Sequence, residues 1–217
     1  MKLSKKCIVI GCGSHASSII SIVESSVDHY EIVGLVDVAE HYDTSEEKSG
    51  YNIILSLCEL LNYSEKYLDL NCIIAIGDNI KRQVVFDQLI SRKFKLPNII
   101  SSRAFVDRTV VMGYGNVISH GSVVNAQVKL GDNNLINTCV VVEHHCCIKN
   151  HTHIAPKALL CGRVNLNNLV FVGAGAIIIP NLCVDEEVVI GAGAVLTVNI
   201  TEKKSTFIGV PAKVKIK

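Results

Sequence analysis

The sequence contains no tryptophan, and aromatic residues make up only 5% of its 217 residues. Val and Ile fill the second half instead, and these β-branched residues favour strand over helix. The formal net charge is +1, from 21 basic and 20 acidic side chains, with no basic tract and no acidic tail. This balance gives no electrostatic reason to expect binding to nucleic acid or to an anionic membrane.

Long apolar runs are also lacking. No stretch approaches the roughly 20 apolar residues of a membrane span, and the short apolar run near the N-terminus breaks at Gly11, which makes a poor signal peptide. The nine cysteines are odd in number and lack C-x-x-C spacing. Free thiols in a reducing compartment fit this pattern better than a disulfide framework. We therefore expect a cytoplasmic protein.

The first part of the chain, residues 1–97, alternates strand-like and helix-like segments. The pattern predicts strands at 6–10, 31–37 and 71–77 and helices at 15–27 and 79–92. Such a β-α-β series predicts a Rossmann-like α/β domain, in which helices flank a small parallel sheet.

A glycine-containing turn joins the first predicted strand to the first predicted helix. Gly11, Gly13 and Ala16 have the spacing of a dinucleotide-binding fingerprint, and Asp37 ends the second strand as a candidate ribose partner. A helix N-terminus beside Gly13 would suit a phosphate. The domain is too short for a six-stranded dinucleotide fold, and a plain β-α turn with Asp37 exposed is the alternative.

From residue 100 onward the period of the sequence changes to six. Every sixth residue is aliphatic or Met, with no slip in phase, and the residue four positions later is mostly small or β-branched. This pattern predicts a solenoid over residues 98–217, in which each short strand sends one large and one small residue inward and then turns a corner. The large positions are Ile100, Val106, Met112, Ile118, Val124, Leu130, Ile136, Val142, Ile148, Ile154, Leu160, Leu166, Val172, Ile178, Val184, Ile190 and Leu196.

Two adjacent histidines follow one of these inward positions. His144 and His145 come two and three residues after Val142, at a corner, so their side chains should leave the coil. Glu143 adjoins them. A histidine can accept a proton near neutral pH, whereas a solvated surface pair is the alternative. Cys146 falls on a small inward position, so we interpret it as a packing residue.

The stretch that contains Ile136, Asn137 and Thr138, then Glu143 and His144, then residues 153–156, resembles the bacterial nucleotide-amino-sugar N-acetyltransferases and the related sialic acid O-acetyltransferases. That resemblance covers the second half and implies a left-handed parallel β-helix, a homotrimer and acetyl-CoA as co-substrate, with no metal. It also implies that the N-terminal domain binds a nucleotide sugar.

The resemblance further implies roles for individual residues. His144 matches the general base of the family, but the residue after it, commonly acidic, is here His145. Either His145 orients His144 through a ring nitrogen, or Glu143 or a neighbouring subunit supplies the carboxylate. Asn137 is a candidate for holding the acceptor, and His153 matches a histidine near acetyl-CoA.

Further matches concern the two substrates. Ala174 and Ala192 match acetyl-CoA contacts, within two Gly-Ala-Gly-Ala segments that lie one coil apart, and residues 209–213 match the closing segment beside the CoA site. Residues matching Gly13, Ser14 and His15 contact the nucleotide sugar, and the segment around Asp37 approaches its base or ribose.

Three alternatives remain open at this stage. A γ-type carbonic anhydrase would use three histidines on zinc, but the H-x4-H spacing of that family is missing. A non-catalytic β-helix subunit would need neither His144 nor the glycine turn. O-acetylation of sialic acid or of another small acceptor stays within the same class of enzyme.

Overall fold

The computed structural model describes residues 5–39 and 47–215. The chain divides into two compact units, Met1–Ser102 and Arg103–Lys217. The domain boundary between residues 97 and 98 stays a prediction.

The first unit is a layered α/β domain. Its strands are β1 (Lys5–Ile10), β2 (Tyr30–Asp37), β3 (Glu47–Lys48), β4 (Tyr51–Ser56), β5 (Asn71–Ile74) and β6 (Ile99–Ile100), and its helices are α1 (Ser14–Glu24), α2 (Leu57–Asn62) and α3 (Asn79–Ser91), with a 3-10 turn at Ser64–Lys66. The sheet order is β3-β4-β2-β1-β5. Strands β4, β2, β1 and β5 are parallel, and β3 is antiparallel to β4. The expected parallel sheet with flanking helices is confirmed.

Helices cover the sheet because alternate residues of β1 point to opposite sides. Ile8 and Ile10 belong to a buried cluster with side chains from α2 and α3. Cys7 and Val9, which alternate with them, are also fully buried, and α1 contacts β1 and β2. Burying each such aliphatic side chain stabilises the fold by about 1.5–3 kcal/mol.

Several bounds differ from the sequence prediction. Helix α1 ends at Glu24 rather than at residue 27, because the backbone leaves the helical conformation at Ser25, with φ of −101° and ψ of 12°. The hydroxyl of Ser25 also donates to the carbonyl of Ser21, at 2.8 Å. The third predicted strand ends at Ile74. The sequence analysis missed β3, β4 and α2 altogether, although Ser56 and Glu59 form a capping box at the start of α2.

The second unit is a parallel β-helix of two-residue strands. These are β7 (Phe105–Val106), β8 (Val111–Met112), β9 (Val117–Ile118), β10 (Val123–Val124), β11 (Lys129–Leu130), β12 (Leu135–Ile136), β13 (Val141–Val142), β14 (Cys147–Ile148), β15 (His153–Ile154), β16 (Leu159–Leu160), β17 (Asn165–Leu166), β18 (Phe171–Val172), β19 (Ile177–Ile178), β20 (Cys183–Val184), β21 (Val189–Ile190) and β22 (Val195–Leu196), followed by the hairpin of β23 (Thr206–Ile208) and β24 (Lys213–Val214).

Three sheets form the sides of the β-helix, because each strand pairs with the strand three positions later in the chain, one coil onward. One sheet has the order β22-β19-β16-β13-β10-β7, a second β20-β17-β14-β11-β8, and the third includes β24-β23-β21-β18-β15-β12-β9. The predicted large inward positions from Ile118 to Leu196 are all at most 4% exposed. Val106 and Met112, in the first coil, are half-buried because each pairs with a neighbour on one side within this unit.

Left-handed backbone conformation recurs at most corners of the β-helix. The third residue after each inward position, from Gly115 to Gly193, has φ between 56° and 68°, and most of these residues are not glycine. Each such residue costs about 1–2 kcal/mol relative to the right-handed conformation. Its N–H donates to the preceding coil, as His145 N does to Ala126 O at 3.0 Å. The stacked coils therefore hold the corners in this conformation.

A buried polar ladder crosses the first coils at the small inward position. Oδ1 of Asn116 accepts from the backbone N and from Nδ2 of Asn134, at 2.9 and 3.0 Å. Oδ1 of Asn134 in turn accepts from the backbone N of Thr152 at 2.8 Å. All three side chains are fully buried, so their hydrogen bonds replace water.

Asn134→Ala should lower the free energy of unfolding by about 1–3 kcal/mol, because it leaves the buried N–H of Thr152 without its acceptor. Asn165→Ala is the matched control, since Asn165 is exposed on β17, and should change stability by less than about 0.5 kcal/mol. Urea unfolding followed by circular dichroism at one protein concentration measures both. Equal stability of the two variants would contradict a structural role for the ladder.

Candidate functional site

The corner between β13 and β14 carries the histidine pair. Val142 is fully buried, and the chain then turns outward through Glu143, His144 and His145, of which both histidines are exposed. His145 occupies the left-handed position of this corner, with φ of 62°. The sequence prediction that both imidazoles leave the coil is confirmed.

The two imidazole rings are hydrogen-bonded to each other. Nδ1 of His144 lies 3.0 Å from Nδ1 of His145, and the rings are perpendicular with centroids 5.2 Å apart. One Nδ1 must carry a proton and the other must accept it. If His144 is the donor, its Nε2 atom is an unprotonated base held in a fixed orientation.

Gly162 makes room for the His144 ring, and the sequence analysis missed it. A Cβ atom at position 162 would lie 2.8 Å from Cε1 and 2.9 Å from Nε2 of His144. Any side chain there would displace the imidazole. Counting one full coil onward from His144 along the strand register would have identified this residue, because β13 pairs with β16.

Glu143 stands at the same corner without bonding to either imidazole among the contacts of residues 5–39 and 47–215. Burial and, secondly, the negative charge of Glu143 raise the pKa of the Cys161 thiol. The sequence analysis named His145, Glu143 or a neighbouring subunit as possible partners of His144. In this structure the imidazole of His145 is the one that bonds to the His144 ring.

Cys146 lies inside the coil, as the sequence pattern indicated. Its side chain is fully buried, and its Sγ atom donates to the carbonyl of Cys161 at 3.2 Å. Burial raises the pKa of its thiol to about 11. A thiol of this kind is almost entirely protonated at neutral pH and makes a poor nucleophile.

Asn137 and His153 contact each other, which the sequence did not predict. Nδ2 of Asn137 lies 3.1 Å from Nε2 of His153. The His153 ring is only 9% exposed and packs edge-on against Phe171, one coil later, with ring centroids 5.2 Å apart. Residues assigned to different substrates thus form one hydrogen-bonded unit.

Ala174 and Ala192 lie on the surface of adjacent coils. Both are exposed, and Gly193 N donates to Ala174 O at 2.9 Å. A Cβ atom on Gly173 would lie 2.5 Å from Ala192 N, so packing between coils requires that glycine. The two alanines are left as a small, flat surface.

In the first unit, the two glycines of the turn between β1 and α1 differ in whether the fold requires them. Gly11 has φ of 107°, and an added Cβ would lie 3.0 Å from Ala75 O, so the fold itself requires glycine there. Gly13, the N-cap of α1, has φ of −69° and nothing within 4 Å of an added Cβ. Nothing in the described residues requires glycine at position 13. Lys48 extends to this turn and donates from Nζ to Cys12 O at 2.9 Å.

Ser14 and His15 begin α1 immediately after this turn. Burial and, secondly, the charge of Arg82 lower the pKa of His15, which favours the neutral ring. Across the carboxyl edge of the sheet, Asp37 is half-buried at the end of β2, and its Oδ1 accepts from Ala39 N at 3.0 Å.

Arg82 is a buried residue that the sequence pattern concealed, because an arginine in a helix usually lies on the exposed side. It is 0% exposed, and burial lowers its pKa to about 9. Its guanidinium donates to the carbonyls of Ile76 and Gly77 at 3.2 and 3.1 Å and to Oδ1 of Asn79 at 2.8 Å. These bonds shape the loop between β5 and α3.

Within residues 5–39 and 47–215, no group of three or more His, Cys, Asp or Glu side chains is arranged to hold a metal ion. Over the same residues, no helix has both the length and the apolar character to span a bilayer.

Both parts of the chain are similar to known proteins. Residues 6–89 match the family model of the PglD N-terminal domain. The crystal structure of a histidine-to-asparagine mutant of perosamine N-acetyltransferase from Caulobacter crescentus, in complex with CoA and GDP-perosamine, matches with a TM-score of 0.89 at 29% identity, covering 99% of this chain and 98% of that one. A search of curated protein sequences finds no match.

Two further solved structures span nearly the whole chain. The acetyltransferase domain of PglB from Neisseria gonorrhoeae, in complex with acetyl coenzyme A, matches with a TM-score of 0.88 at 27% identity, covering 98% of this chain and 100% of that one. WeeI from Acinetobacter baumannii shares the fold, with a TM-score of 0.85 at 20% identity over 97% of this chain and 100% of that one.

These matches confirm the predicted fold class, an α/β N-terminal domain followed by a left-handed parallel β-helix. They also confirm the resemblance to hexapeptide-repeat acetyltransferases of nucleotide-linked amino sugars.

Proposed function

We propose that this protein transfers the acetyl group of acetyl-CoA directly to the amino group of a nucleotide-linked sugar. The observation that carries the proposal is the His144–His145 hydrogen bond at an exposed corner of the β-helix. The whole-chain match to a perosamine N-acetyltransferase bound to CoA and GDP-perosamine supports the choice of substrates, as does the match to an acetyltransferase domain bound to acetyl coenzyme A.

The amine must lose a proton as it attacks the thioester carbonyl. His144 donates its Nδ1 proton to Nδ1 of His145, so Nε2 of His144 carries the lone pair that accepts the proton of the amine. The imidazolium that forms keeps its hydrogen bond to His145. His144 then returns the proton to the leaving thiolate of CoA.

His144→Ala should lower kcat by roughly 10²–10⁴-fold, the usual contribution of a positioned general base. His145→Glu should keep most of the activity, because a carboxylate also accepts the Nδ1 proton, whereas His145→Phe should lower kcat by about tenfold or more. Steady-state release of CoA thiol measures these rates.

The matched control for these variants is His29→Ala, which removes an exposed histidine of the first unit and should leave kcat unchanged. Near-wild-type kcat in His144→Ala, together with loss of activity in His145→Ala or His120→Ala, would show that another histidine is the base.

The first unit binds the nucleotide part of the acceptor in this proposal. Gly13, Ser14 and His15 contact the nucleotide sugar, and Asp37 binds its ribose or base. Two features support this assignment: Gly13 is a glycine that the fold does not require, and α1 has no acidic residue in its first turn, which suits a phosphate.

Asp37→Ala should raise KM for the nucleotide sugar more than KM for acetyl-CoA, because the carboxylate contacts only the acceptor. Asp37→Asn separates binding from folding, since the amide oxygen can still accept from Ala39 N. Initial-rate kinetics with each substrate varied in turn gives both constants. Equal effects on the two KM values would refute the assignment.

Acetyl-CoA lies along the β-helix in this proposal, with its pantetheine against Ala174 and Ala192 and with His153 near the acetyl end. The exposed, small side chains of the two alanines support this position, because they let an extended chain approach the backbone closely.

A homotrimer is part of the proposal. The outward residues of one sheet form a continuous apolar stripe, whereas the corresponding residues of the next sheet include Lys129 and Asn165. A flat apolar face of this kind favours association with further copies of the chain. The stripe consists of Phe105, Val123, Val141, Leu159, Ile177 and Val195.

Light scattering at micromolar concentration should give three times the 23.6 kDa mass of the chain. Leu159→Glu, which places a charge in the stripe, should shift the mass toward the monomer, and Lys129→Glu on the other sheet should not. A monomeric wild type would contradict the proposed trimer.

The identity of the acceptor is tested with a panel of UDP-, GDP- and dTDP-linked amino sugars, with sialic acid as the hydroxyl acceptor. Acetylation of an amino sugar supports the proposal. Acetylation of sialic acid alone would replace it with O-acetyl transfer, and carbon dioxide hydration that depends on added zinc would replace it with a carbonic anhydrase.

A further inference from the structure

Asn137 is held between two partners that together fix which of its amide atoms faces which way. Its Oδ1 accepts from the backbone N of Thr138 at 2.8 Å. A backbone N–H can only donate, so the atom that faces it must be the amide oxygen. The amide nitrogen of Asn137 therefore faces Nε2 of His153, at 3.1 Å.

The protonation of His153 follows from this orientation. An amide nitrogen can only donate a hydrogen bond, so Nε2 of His153 must accept one and carries no proton. A ring protonated at Nε2 would oppose two donors at this contact and leave an amide hydrogen of the half-buried Asn137 without its acceptor, which is unfavourable beside a histidine that is only 9% exposed.

Packing prevents the ring from escaping this arrangement. His153 pairs in register with Leu135 on one side and Phe171 on the other. Phe171 meets the imidazole edge-on, at an interplanar angle of 88°. The ring is thus confined by apolar neighbours along the coil axis and bonded to Asn137.

We infer that Asn137 is a positioning residue that holds His153 as the neutral tautomer with its proton on Nδ1. This inference rests on the proposed function for its consequence: acetyl-CoA meets a neutral imidazole at His153 rather than an imidazolium. Asn137 thus acts on the donor substrate through His153, rather than by holding the acceptor, the role that the sequence assigned to it.

Asn137→Asp tests this inference with a nearly isosteric change. The aspartate keeps an oxygen for Thr138 N and presents a second oxygen to His153, so Nε2 must then carry a proton. Two- and three-bond ¹H–¹⁵N correlations on histidine-labelled full-length protein distinguish the tautomers, and His153→Gln identifies the signal. We expect the Nδ1–H pattern in the wild type and an Nε2-protonated pattern in Asn137→Asp.

The kinetic readout separates the two possible roles of Asn137. If Asn137 positions His153, Asn137→Asp should lower kcat/KM for acetyl-CoA about tenfold and leave KM for the nucleotide sugar within about threefold of the wild-type value. If Asn137 instead binds the acceptor, Asn137→Asp should change KM for the nucleotide sugar more than kcat/KM for acetyl-CoA, and that result would overturn the inference.

Asn133→Asp is the matched control. Asn133 is another buried asparagine of the β-helix, with Nδ2 at 2.9 Å from Nδ1 of His151, so it introduces the same charge beside a different histidine. It should alter neither the His153 signal nor the acetyl-CoA kinetics. An equal loss in this control would show that Asn137→Asp acts through general destabilisation, and would overturn the positioning role.

The NMR result stands apart from the reaction. An Nε2–H pattern for His153 in the wild type, or an unchanged pattern in Asn137→Asp, overturns the inference whatever the activity. Absence of acetyl transfer to every acceptor in the wild type would refute the proposed function, while the tautomer would still be decided by the spectra.

Discussion

The hydrogen bond from each left-handed corner residue to the coil before it is the interaction on which the rest of the β-helix depends. Lys157 N donates to Thr138 O at 2.9 Å and Arg163 N to His144 O at 3.0 Å, and the same bond recurs along the stack. Without it, non-glycine residues would favour other conformations, and the chain would not turn at every sixth residue. The aliphatic core then buries one large residue in each strand, and successive coils stay in register.

That constraint also positions the candidate chemistry. At the corner between β13 and β14, His144 and His145 project outward while Val142 and Cys146 remain buried on either side. Because the coils repeat, a glycine one coil later lies beneath the His144 ring. The stacked coils therefore hold the His144 imidazole in a defined orientation without a flexible loop, which suits the general-base role proposed for it.

Much of this could be predicted from the sequence, because period six fixes which residues enter the core and which lie at corners. The left-handedness of the β-helix could not be predicted in this way, since parallel crossovers are normally right-handed and nothing in the composition opposes that rule. It was inferred from the resemblance to a known family and is confirmed by the matching solved structures. The Asn137–His153 contact was also beyond prediction. It depends on side-chain torsions and on the rotation of one amide, which a repeat pattern does not specify. The burial of Arg82 was missed because helix periodicity cannot show that backbone carbonyls lie within hydrogen-bonding distance of its guanidinium.

The central claim is that the corner bearing His144 is where acetyl transfer occurs. A crystal structure of the full chain with CoA and an accepted nucleotide amino sugar tests it most directly. The account predicts that the acceptor amine lies within about 3.2 Å of Nε2 of His144, with the CoA sulfur beside it and Nδ1 still bonded to His145. An amine placed away from this corner, or an Nε2 atom turned from the substrate, would contradict the account.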